Sequence, residues 1–75
     1  MKNETHILPK NILVLFEELE QECLTAIKYI QALKVKELSS SQKEDIIGEL
    51  SASITHLRIQ ASELDRELED TDTFR

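Results

Sequence analysis

The sequence predicts an all-α fold: an antiparallel two-helix hairpin that pairs with a second hairpin into a four-helix bundle. Three observations predict it. Two stretches carry apolar residues at alternating steps of four and three, the spacing of one helix face. They are Ile12, Phe16, Leu19, Cys23, Ala26, Ile30 and Leu33, then Ile47, Leu50, Ile54, Leu57, Ala61, Leu64 and Leu68. Folded back on each other, the two stretches meet at one constant register, from Leu33 opposite Ile47 to Ile12 opposite Leu68, the residue numbers of every pair adding to 80. Cys23 then faces Leu57. Finally, one glycine, one proline and 4% aromatic residues favour long helices over a sheet.

The elements follow in order. Residues 1–8 read as a flexible arm, and residues 9–70 as the hairpin. Pro9 suits a helix start, where its missing N–H loses no partner and its fixed φ is already helical. Helix 1 is expected over about 9–37, with Glu17, Glu18, Glu20 and Glu22 early and Lys34 and Lys36 late, an order that complements the helix dipole. A turn is expected at 38–41, because serines 39–41 compete for backbone hydrogen bonds and Ser41-Gln42-Lys43-Glu44 has the spacing of a capping box. The heptad also changes phase there. With position a at Phe16, Cys23 and Ile30, an unbroken count would place Glu37 and Glu44 at a, whereas the second seam restarts at Ile47. Helix 2 is expected over about 42–69, fraying where Glu67, Glu69 and Asp70 meet the negative end of the dipole, and residues 71–75 read as a disordered tail.

In heptad terms, Phe16, Cys23, Ile30, Ile47, Ile54, Ala61 and Leu68 are at a, and Ile12, Leu19, Ala26, Leu33, Leu50, Leu57 and Leu64 at d. The e positions of antiparallel helices share one side, so Lys34 is expected to meet Glu44 and Glu20 to meet Arg58. Two helices alone cannot enclose these seams. Leu13, Leu15, Ile27, Tyr29 and Ile46, at the flanking e and g positions, widen the apolar face to the width a four-helix bundle needs. A homodimer of hairpins is the expected solution, since isologous twofold pairing is the commonest. Acidic residues crowd the end holding the termini, which favours the two hairpins running antiparallel.

Composition narrows function mainly by exclusion. A net charge of −6, from 15 acidic and 9 basic residues, disfavours nucleic acid and anionic membrane surfaces. No apolar run approaches a membrane span; the N-terminus lacks a signal-peptide pattern; and the lone cysteine forms no internal disulfide. A cytoplasmic location follows as the expectation. Cys23, at a seam position, reads as a small apolar rung, His56 at position c as a surface residue, and His6 as part of the arm. There is no Glu-x-x-His pair, glycine-rich phosphate loop or zinc spacing, so neither cofactor, metal nor catalysis is expected. Gly48 lies off the seam as a tolerated surface glycine.

Two resemblances bear on function. The architecture is similar to that of the ROP-like plasmid RNA-binding hairpins, short acidic chains that dimerise into four-helix bundles. It implies an RNA-binding face, which would have to draw on Lys10, Lys28, Tyr29, Lys34 and Lys36; no motif is shared. Ser62-Glu63-Leu64-Asp65 resembles the Ser-x-x-Leu-Asp signature of small hairpin phosphatases acting on response regulators, with the serine one residue too close. Off the seam, Val14 and Leu24 on the outer side of helix 1 are candidates for docking a larger protein partner. The expected function is therefore a non-catalytic protein–protein interaction or regulatory module, with an RNA-binding regulator or an accessory subunit of an enzyme as alternatives.

Overall fold

The computed structural model describes residues 8–70, so the expectations for residues 1–7 and 71–75 lie outside the described residues. Within them the protein is all-helical: α1, Lys10–Leu33, packs along α2, Ser40–Glu69. Pro9 is the N-cap of α1 with φ −57° and ψ 148°, and its carbonyl accepts from the N–H groups of Ile12 and Leu13 at 3.1 Å each. No acidic side chain stands in the first turn of α1. Glu17 begins too late to meet the dipole there.

α1 ends at Leu33, short of Glu37, and α2 starts two residues ahead of Gln42. The reason is a different cap. Ser39, not Ser41, closes the box: its hydroxyl accepts from the Gln42 N–H at 3.1 Å, and the Gln42 side chain accepts from the Ser39 N–H at 2.9 Å. The chain offers this signature twice, at Ser39–Gln42 and at Ser41–Glu44. The earlier one places Ser40 and Ser41 in the first turn, where serine is tolerated, and gains helical hydrogen bonds such as Lys43 N–H to the Ser39 carbonyl. Residues 34–39 make the connection, and within it Leu38 is half-buried.

The rotation of the helices is the main departure from the sequence pattern. Ile12, Ala26 and Leu64 are the buried apolar side chains and Ser53 the buried polar one. Half-buried Leu15, Leu19, Glu22, Tyr29, Leu33, Ile46, Leu50, Leu57, Gln60 and Glu67 at d and g, with Thr25 and Ala32 at c and Leu68 at a, complete the contact. The helices therefore meet mainly through d and g, with half-buried Leu68 near the end of α2 the one position-a residue in the contact. Phe16, Cys23, Ile30, Ile47, Ile54 and Ala61, the other position-a residues, are exposed, and Cys23 does not sit in a rung against Leu57. Longitudinal register stays near the expected one: Asn11–Glu67, Tyr29–Glu49 and Glu22–His56 each add to 78.

Gly48, at position b of α2, has nothing within 4 Å of where a Cβ would stand. Gly48→Ala should therefore raise stability by ~1 kcal/mol, the helix-propensity difference alone. Urea unfolding followed by circular dichroism checks this; a loss of stability would mean that some helix approaches closely at this point.

Candidate interaction surface

Rotating the seam to d and g gives the hairpin two unlike sides. In an antiparallel pair, equivalent positions of both helices share a side. The c/g side is polar and joins the helices. Asn11 Nδ2 donates to Glu67 Oε1 at 3.0 Å, Tyr29 Oη to Glu49 Oε1 at 3.5 Å, and Ser53 Oγ to Glu22 Oε2 at 2.6 Å. His56 Nδ1 lies 3.6 Å from Glu22 Oε1. All these residues are at c or g.

The a/e side is apolar and open. Phe16 is 37% exposed, Ile30 44%, Ile47 50% and Ile54 45%. Leu13 and Ile27 extend this side on α1, and Cys23 and Ala61 lie within it. Each is flanked along the helix by its own seam residue, so the surface runs the length of the hairpin. Large contiguous apolar surfaces of this kind mark association sites.

The flanking residues expected to widen the core divide accordingly. Leu15, Tyr29 and Ile46 are half-buried in the hairpin contact, while Leu13 and Ile27 belong to the open side. Neither Lys34–Glu44 nor Glu20–Arg58 pairs within the hairpin; among the described residues the approach of a basic side chain to a carboxylate is His56 to Glu22, at 3.6 Å. The rotation that exposes position a also swings position e to the outer edges of the open side, out of mutual reach. Val14 and Leu24 are both exposed, but they stand ten residues apart and roughly 80° apart around α1. Val14 lines a shallow groove on the c/g side with Lys10, Asn11, Leu15, Glu63 and Glu67. Leu24 lies away from it. Leu64 is buried in the seam, whereas Ser62, Glu63 and Asp65 around it are exposed.

Sequence reasoning missed the Ser53–Glu22–His56 cluster. Ser53 stands three residues after Leu50 and four before Leu57, as good a seam spacing as Ile54, so only hydrophobicity favoured the latter. The cluster has the residue types of a nucleophilic triad but not the arrangement. Glu22 stands between the serine and the histidine, and Ser53 is 2% exposed, out of reach of a substrate carbonyl. It is a clasp between helices. Among the described residues, no three His, Cys, Asp or Glu gather as a metal site, and no helix is long and apolar enough to cross a membrane.

The clasp makes a prediction about stability. Glu22→Ala should cost about 1–3 kcal/mol, because the Ser53 hydroxyl is left buried without its acceptor. Glu22→Leu combined with Ser53→Ala should return the protein to parental stability or above, as apolar replacements of buried polar groups commonly do. Thermal melts of both variants distinguish this from a clasp that is indispensable.

No protein-family model matches the chain, and no curated protein or solved structure matches it.

Proposed function

We propose that the protein is a non-catalytic protein–protein interaction module that works as a homodimer, its open a/e side closing on a second copy to complete a four-helix bundle. One observation carries this reading: where the a/d stripe points. With d and g facing the other helix of the hairpin, the d–a stripe points diagonally, about 45–60° away from that helix toward the open side. That is the direction of the central axis of a square four-helix bundle, in which every helix has two neighbours. A self-sufficient hairpin would turn the stripe onto its own seam. Here the side chains best suited to a core stay exposed, and Ile12, Ala26 and Leu64 are the apolar ones buried.

In the dimer the polar c/g sides and the b and f positions, with Val14, Leu24 and the groove beside Lys10 and Glu63, remain outward for a larger partner. The cations form no unbroken basic patch: Lys10 and Arg66 lie near the termini, Arg58 between, and Lys28, Lys34, Lys36 and Lys43 toward the connection, where Glu37, Glu44, Asp45 and Glu49 intersperse them. This favours a protein partner over nucleic acid. Sedimentation equilibrium at micromolar concentration tests the reading, with a dimer expected and a stable folded monomer against it. Titration with structured RNA tests the rival: tight, steeply salt-dependent binding would replace a protein-recognition role with an RNA-binding one.

A further inference from the structure

We infer that the two copies join with their connections at the same end, about a twofold axis parallel to the helices, so that α1 of each copy packs against α2 of the other. The inference rests on the homodimer proposed above and specifies its geometry.

The charged rim of the open side carries this geometry. Its outer edges are the e positions: Leu13, Glu20 and Ile27 on α1, continued by Lys34, the helical C-cap of α1, and Glu44, Ser51, Arg58 and Asp65 on α2. Glu20, Lys34, Glu44 and Arg58 make no ion pair within the hairpin. The contacts between helices that add to 78 fix which residues stand at equal height. By that measure Lys34 is level with Glu44, Ile27 with Ser51, Glu20 with Arg58, and Leu13 with Asp65.

A second copy can cover this side in two symmetric ways. About an axis parallel to the helices, the α1 edge meets the α2 edge of the second copy at equal height. Lys34 then meets Glu44 of the second copy and Glu20 meets its Arg58, each pair occurring twice by symmetry. The remaining contacts, Ile27 with Ser51 and Leu13 with Asp65, bring no like charges together. The core layers also match in size: Phe16 beside Ala61, Cys23 beside Ile54, and Ile30 beside Ile47, large against small at one end.

About an axis crossing the helices, α1 meets α1 and α2 meets α2 in reverse. Full overlap then sets Glu44 against Asp65 of the second copy, twice, and leaves Glu20 opposite Ile27. Sliding the copies by a heptad would restore opposite-charge pairs but leave Phe16 uncovered. The acidic crowding near the termini, which by composition alone favours this reversed arrangement, does not oppose the parallel one. Glu18, Glu22, Glu63 and Glu67 lie at c and g, on the side facing away from the second copy.

The test exchanges charges between copies of the full chain. Lys34→Glu alone and Glu44→Lys alone each turn two attractive contacts into repulsive ones, and each homodimer should dissociate roughly tenfold more readily. Mixed together, the two variants form a heterodimer in which both contacts are again opposite in sign. Native mass spectrometry with one variant isotope-labelled should show the heterodimer at about nine-tenths of the dimer, against the statistical half. Statistical mixing would overturn the inference, because the reversed arrangement gives the heterodimer no such advantage. A second measurement is independent of these charges. Spin labels on Lys36→Cys in a Cys23→Ala background should lie within about 35 Å of each other, whereas reversed copies would set them on the order of 45 Å or more apart, the length of a 30-residue helix. A dimer with distant labels refutes the arrangement alone; absence of any dimer in the parent protein refutes the homodimer on which it rests.

Discussion

Ile12→Ala is expected to lower stability by about 2–5 kcal/mol, the cost of emptying a site that cannot collapse around the loss. Ile12 is 0% exposed, the most completely enclosed side chain among the described residues. It sits one turn into α1, where the backbone is anchored by hydrogen bonds to the Pro9 carbonyl and cannot easily move in to fill the space. A total stability of roughly 5 kcal/mol, ordinary for so small a domain, would be largely consumed. Equilibrium urea unfolding at fixed protein concentration measures the effect. Lys28→Ala, on an exposed f position of the same helix, should stay within about 0.5 kcal/mol of the parent and serves as the control. A mild Ile12→Ala alongside an equally mild Lys28→Ala would mean that this end of the hairpin does not carry the fold.

The second large effect concerns association. Ile30→Asp combined with Ile54→Asp should abolish the dimer over the micromolar range. Both side chains are nearly half exposed in the hairpin, so the hairpin contact itself is not broken. In the dimer each aspartate would be enclosed without a partner, and one such charge costs about 3–5 kcal/mol. A single such charge lowers dimer affinity by roughly 150- to 4,000-fold, and the dimer would hold several of them. Sedimentation reads the loss of the dimer, and circular dichroism reports how much helix the separated hairpins keep. Retention of a fully helical dimer would show that the open side is not the association surface.

The contrast between these two variants also shows what the sequence could and could not specify. Ile12 and Ile30 belong to one apolar stripe and look equivalent by periodicity. They differ only in rotation: Ile12 at d turns into the hairpin, and Ile30 at a turns out of it. A period near 3.5 residues locates the centre of a stripe but not which neighbour lies on which side of it. The hairpin and a four-helix bundle share a stripe and differ by about 45° in how it is aimed. Position g is where this information was hidden. Glu22, Ser53 and Gln60 are polar, and hydrophobicity therefore assigned them to solvent, yet the first two clasp the helices and the Gln60 Oε1 is enclosed without a hydrogen-bond partner. The capped turn was legible in kind, a Ser-x-x-Gln/Glu box, but two overlapping copies of the signature left its placement to the length of the connection.

The position of Ile12 has a kinetic consequence. The helices are joined by residues 34–39, so contacts near the connection close short loops, while those near the termini close long ones. Tyr29 and Glu49 are separated by 20 residues, and Asn11 and Glu67 by 56. Loop entropy therefore orders zippering from the connection outward. The best-enclosed side chain lies at the far end, among the last contacts to form. A half-zipped hairpin has met its entropic cost without the packing that compensates it, which makes such species sparse and the transition close to all-or-none.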